Sequence, residues 1–91
     1  YMICKINTYI KSLIDIVIAT PGRLLHILHE TGLSLKALEM FILDEADRLF
    51  EEGLQDELQA IIKEMPSKRQ TLLFSATLPK MVVEFSRYFN F

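Results

Sequence analysis

The 91-residue chain is poor in cysteine, glycine and proline, and neither charge sign dominates it. Its single cysteine, Cys4, excludes an internal disulfide and reads as a small buried hydrophobe. Three glycines and three prolines, with no repeat or low-complexity stretch, leave an ordinary globular composition of 51% hydrophobic and 24% charged residues. A net charge of −2 excludes a whole-surface field for polyanions, so any such contact must be local. No apolar run approaches the roughly 18 residues of a membrane-spanning helix. Lys5 and Lys11 interrupt the apolar positions of residues 1–13, and no small-residue cleavage site follows, which argues against a signal peptide. The expected compartment is intracellular, with no membrane partner.

Three short apolar segments read as strands covered on both faces: residues 14–19, 40–43 and 71–74. Helical patterns lie between and after them. Leu24, Leu25 and Leu28 share one side of residues 23–30. Leu54, Leu58, Ile61, Ile62 and Met65 form a helical stripe, and Val82, Phe85 and Phe89 mark a last helix. Alternating strands and helices predict an α/β fold with parallel strands joined by right-handed crossovers. Three strands are fewer than a typical sheet of about five or six. The chain therefore reads as one fragment, residues 1–91, of a larger domain, with residues 1–13 unassigned.

The chemistry gathers just after the strands, where open α/β sheets bind ligands. Asp44, Glu45 and Asp47 follow the second strand. There Asp44 can hold magnesium, mostly through waters, and Glu45 can orient or deprotonate a water against a phosphate. The alternative is an acidic, solvated helix start. Thr20, Pro21, Gly22 and Arg23 follow the first strand and suit a helix start, with Thr20 as cap and Pro21 in the first position. Free N–H groups there, with the Arg23 guanidinium, suit phosphate oxygens, although a plain capped helix needs no ligand. Ser75 and Thr77 follow the third strand and bring hydroxyls to the same edge, within reach of Asp47. They also suit a turn ahead of a helix in which Pro79 sits early.

Other residues read more simply. His26 and His29 lie on the first helix without a metal-ligating cluster. Phe50, Phe74, Phe85 and Phe89 are expected in the core. Lys63, Lys68 and Arg69 are expected as solvated charges around a turn at Pro66 and Ser67. The loop G-x-x-x-x-G-K-[ST] is missing from these residues, so a nucleotide site built from them alone is incomplete.

Three co-linear segments, Ala19-Thr20-Pro21-Gly22-Arg23-Leu24, Leu43-Asp44-Glu45-Ala46-Asp47-Arg48-Leu49 and Phe74-Ser75-Ala76-Thr77-Leu78-Pro79, resemble the DEAD-box family of ATP-dependent RNA helicases. The resemblance runs from about Asp15 to Phe89. It implies a core of two RecA-like domains of the P-loop NTPase type, of which this chain is the later half of the first. It implies ATP and Mg2+ as cofactors, and RNA and the second RecA-like domain as partners. By the resemblance, Asp44 and Glu45 are the magnesium-holding and water-activating pair. Thr20, Pro21, Gly22 and Arg23 contact the RNA backbone, and Asp47, Ser75 and Thr77 couple hydrolysis to strand separation. The Asp47-Arg48-Leu49-Phe50-Glu51 run, the helix over residues 55–62 and Val83-Glu84-Phe85-Ser86-Arg87 resemble the nucleolar, ribosome-biogenesis subgroup. That subgroup implies a role in ribosome biogenesis and a nuclear or nucleolar location.

Two other functions compete. One is a non-catalytic RecA-like module that binds RNA or supports assembly, motivated by the missing phosphate loop. The other is a DNA helicase or another RecA-like ATPase. The fragment alone is expected to be inactive and, with sheet edge and helix faces uncovered, prone to association.

Overall fold

A strand with alternating burial at the N-terminus, in the segment that the sequence left unassigned, joins the sheet together. In the computed structural model, which describes residues 1–6, 15–89 and 91, β1 spans Met2–Ile6. It is followed by β2 (Ile16–Ala19), α1 (Pro21–Thr31), β3 (Leu38–Leu43), α2 (Ala46–Glu51), α3 (Gln55–Lys63), β4 (Gln70–Leu73) and α4 (Lys80–Tyr88). The four strands form one sheet in the order β2-β1-β3-β4.

The strands expected from the apolar runs are parallel to one another, but they are not all neighbours. β1 runs antiparallel to both β2 and β3 and separates them, while β3 and β4 pair directly and in parallel. The expected parallel strands are thus joined by an antiparallel one, so the sheet is mixed rather than wholly parallel, and part of the segment left unassigned is a strand. The physical reason lies in the alternation of β1: Met2 and Cys4 are buried, while Lys5 is exposed and Ile3 half-buried. Ile14, expected in a strand, lies outside the described residues.

Covering of the strands on both faces is also corrected. In the pairing register, Met2, Ala19, Leu43 and Leu73 share one face with Cys4, Val17, Phe41 and Thr71. Buried residues of that face join Leu24 of α1, Phe50 of α2, Leu58 and Ile61 of α3 and Val82 of α4 in one core cluster. The opposite face carries a row of Ile18, Ile3, Ile42 and Leu72, half-buried or exposed, with Ile18 at 64% exposure and its neighbour Ile16 at 60%. Helices thus pack the sheet from one side among the described residues, and an aliphatic face is left to solvent.

Aromatic rings lock the last helix onto this core. Phe85 meets Phe50 edge-on at 5.0 Å between centroids and Phe89 at 4.6 Å, and Phe91 lies 5.7 Å from Phe41 of β3. Phe74, expected in the core, is 53% exposed because it leaves the end of β4 rather than belonging to it. Cys4 is fully buried, and burial pushes its thiol up to about 12, so it stays protonated and inert.

Candidate active site and RNA-contact edge

Register decides which motifs meet. Ala19, Met2, Leu43 and Leu73 are aligned across the sheet. Because β2, β3 and β4 run the same way, the chain leaves all three at one edge, at Thr20, Asp44 and Phe74. The three motif segments therefore emerge side by side from carboxyl ends of strands.

Thr20 stands at the N-cap of α1, with Pro21 in the first turn. The cap expected of its hydroxyl is not formed: the Thr20 side chain makes no capping hydrogen bond, while its carbonyl accepts from Leu24 N–H at 2.9 Å. The first turn of α1 is thus left without a side-chain cap and carries no acidic residue, which suits an anion. Gly22 and Arg23 are exposed, and no atom approaches a Cβ built on Gly22 within 4 Å. Glycine at this position keeps the helix start open on its outer side.

Asp44 follows β3 and is exposed. One of its carboxylate oxygens accepts Glu45 N–H at 3.0 Å. A solvent-facing hard oxygen donor fits Mg2+, which keeps most of its waters and takes one or two carboxylates with substrate phosphates. No group of three or more His, Cys, Asp and Glu side chains comes together as a protein-only cage among the described residues. His26 and His29 are exposed on α1.

Glu45 takes a left-handed backbone conformation, φ 54° and ψ 47°, and is the one non-glycine residue with positive φ among those described. For an L-residue this costs about 1–2 kcal/mol. It turns the chain sharply between β3 and α2 and leaves the Glu45 carboxylate exposed, 3.5 Å from the Arg48 guanidinium. Such conformations concentrate at functional sites, where the surrounding structure holds them. Here the hold is visible: Phe74 N–H donates to Leu43 O at 2.8 Å and Ala46 N–H to Phe74 O at 3.1 Å, stapling the turn to the end of β4. Glu45→Gly is expected to be more stable than Glu45→Gln by about 0.5–1 kcal/mol, since both lose the carboxylate and glycine alone relieves the backbone. Thermal melts of the two variants in the full-length protein check this.

Asp47 is buried at 8% exposure and does not behave as a solvated helix residue. Its Oδ2 accepts the Thr77 hydroxyl at 2.9 Å and Thr77 N–H at 3.3 Å, and its Oδ1 accepts Arg48 N–H at 3.1 Å. Asp47 N–H in turn donates to Ser75 Oγ at 3.1 Å, and the Ser75 hydroxyl donates to Thr77 O. The Thr77 hydroxyl is the main cause that holds the Asp47 carboxyl below its ordinary value. Burial opposes it, and the Arg48 and Thr77 N–H groups and Ser75 assist.

A cleft of about 250 Å3 joins the first two motifs, lined by Thr20, Pro21, Glu45, Arg48 and Glu52. Asp47, Ser75 and Thr77 form a separate hydrogen-bonded cluster that does not line this cleft, and Gly22 and Arg23 are exposed on α1 outside it. Two side-chain contacts carried no sequence signal. Arg48 pairs with Glu45, and Arg69, expected as a solvated charge, is half-buried and bonded to two carbonyls.

A sequence model of the DEAD/DEAH box helicase family matches residues 4–85, and the chain belongs to that family. Its fold is RecA-like: a DEAD box protein from Methanococcus jannaschii superposes with a TM-score of 0.72 at 34% identity, covering 77% of this chain and 19% of that one. Over 73 residues, 80% of its length, the chain is 58% identical to the mouse ATP-dependent RNA helicase DDX54, and 56% identical to the ATP-dependent RNA helicase DBP10 of Mycosarcoma maydis. It spans 8% and 6% of those two proteins, a small part of each.

Proposed function

We propose that this chain is the hydrolytic and RNA-contacting half of the first RecA-like domain of an ATP-dependent RNA helicase, acting in ribosome biogenesis in the nucleolus. The observation that carries the reading is the alignment of three strand ends, which delivers an acidic pair, an uncapped helix start and a hydroxyl pair to one edge. Similarity to DDX54 and DBP10 supports the subgroup.

In this reading ATP lies against the edge with its phosphates toward Asp44. Asp44 would hold Mg2+ through waters, and the ion would supply neutralisation of charge on the phosphates. Glu45, projected by its left-handed turn, orients the attacking water and takes its proton. The phosphate cradle and lysine come from elsewhere in the parent protein, and the second RecA-like domain closes over the site. RNA backbone phosphates meet the N–H groups at the start of α1 and the Arg23 guanidinium, which makes binding largely independent of sequence. Asp47 then ties the state of the acidic turn to the loop carrying Ser75 and Thr77.

Arg23→Ala is expected to weaken RNA binding about equally for unrelated sequences and to reduce the salt slope of log K by about one. Titrating the full-length protein with two unrelated single strands across a salt series tests this. A loss confined to one sequence, or an unchanged slope, would contradict the assignment.

A further inference from the structure

The turn before β4 and the end of α4 are 20 residues apart in sequence and are joined by one side chain. Arg69 Nη1 donates to Pro66 O at 2.9 Å and Nη2 to Phe89 O at 3.2 Å. Phe89 is the C-cap residue of α4, where unsatisfied carbonyls and the negative dipole end favour a cation. Arg69 Nε is buried without a partner among the described residues, so burying this half-buried side chain leaves one N–H unsatisfied while its two outer nitrogens bond the carbonyls. A planar fork spans two acceptors at fixed spacing; a lysine ammonium offers only a point charge.

The position of this clasp matters. β4 is followed by the loop over residues 74–79, and that loop by α4. Arg69 fastens the start of β4 to the end of α4, which closes residues 66–89 into a loop-tipped unit. At its tip Thr77 meets Asp47 Oδ2. Near the clasp, Phe85 and Phe89 pack together and Phe85 reaches Phe50 of α2. We propose that Arg69 is a positioning residue: by clasping both flanks of the loop, it sets the placement of Thr77 against Asp47. The link from that placement to helicase coupling rests on the function proposed above; the placement itself does not.

The test is hydrogen exchange by mass spectrometry on the full-length protein, comparing wild type with Arg69→Met and Arg69→Lys. The expected result for Arg69→Met is at least tenfold faster exchange in peptides covering residues 75–78 and α4, with α1 unchanged. Arg69→Lys, which retains charge but not the fork, is expected to fall between Met and wild type. Uniform acceleration across α1 and α4 would overturn the proposal, because Arg69 would then add only global stability. Unchanged exchange at residues 75–78, or full protection in Arg69→Lys, would overturn it as well. A second readout is ATP consumed per duplex separated, expected to rise severalfold in Arg69→Met. If exchange changes as expected in a protein without helicase activity, the functional reading fails and the positioning role stands.

Discussion

Glu45→Gln is expected to lower ATP turnover of the full-length protein by about 10²- to 10⁴-fold while leaving RNA and ATP binding nearly intact. The amide has the shape of the carboxylate but cannot accept the proton of the attacking water. Its backbone can keep the left-handed turn, because that turn is held by the bonds among Leu43, Phe74 and Ala46. Loss of the ion pair to Arg48 matters little for stability: both side chains are more than half exposed, at 58% and 68%, and such pairs contribute roughly 0–1 kcal/mol. The α1 start assigned to RNA shares a cleft with Glu45 through Thr20 and Pro21, and an amide of the carboxylate's shape leaves that cleft in place. Steady-state hydrolysis with saturating RNA, alongside equilibrium RNA binding, separates the two effects. Turnover within threefold of wild type would remove Glu45 from its role.

The second large effect is expected at Asp47. Asp47→Ala deletes the acceptor of three hydrogen bonds at once, from the Thr77 hydroxyl, Thr77 N–H and Arg48 N–H. Asp44 and Glu45 remain on the end of β3. Strand separation is therefore expected to fall at least tenfold further than ATP hydrolysis, so that more ATP is spent per duplex separated. Measuring both rates on one preparation checks this, and an equal fall in both would contradict a coupling role. The pH dependence follows from the same bonds. The folded-state pKa of Asp47 is depressed, chiefly by the Thr77 hydroxyl, so the fold favours the ionised form. Its stabilising contribution is full above the ordinary carboxylate value of 3.8 and is lost as pH falls through the lower folded value. Between about pH 6 and 8 the contact should therefore be insensitive to pH. Melting curves of wild type and Asp47→Ala should run parallel across that range and converge only in strong acid.

The parts of this arrangement legible in the sequence are those written in residue type at the ends of elements. Continuous apolar runs marked β2, β3 and β4 to within a few residues, and the leucine and isoleucine stripe marked α3. Motif residues followed because they sit where strands end. What escaped depends on contacts between distant segments. β1 is a short apolar run broken by Lys5, and its place between β2 and β3 is set by pairing with residues up to 41 positions away, as in Met2 with Leu43. Arg69 looks like any cation beside a proline turn; its second acceptor, Phe89 O, lies 20 residues downstream. Phe74 carries the apolarity of a core ring, yet the strand stops one residue before it. The left-handed turn at Glu45 has no glycine to announce it, because contacts with the end of β4 hold it instead.

The open aliphatic face of Ile18, Ile3, Ile42 and Leu72 bears on how the chain should be studied. In isolation that face invites association, and measurements of activity belong on the full-length protein.

The most direct test of the central claim is the rate of ATP hydrolysis by the full-length protein with magnesium, measured with and without single-stranded RNA. The account predicts hydrolysis stimulated by RNA of unrelated sequences and abolished by Glu45→Gln. A protein that hydrolyses no ATP under these conditions, or whose hydrolysis ignores both RNA and the Glu45 substitution, would contradict it.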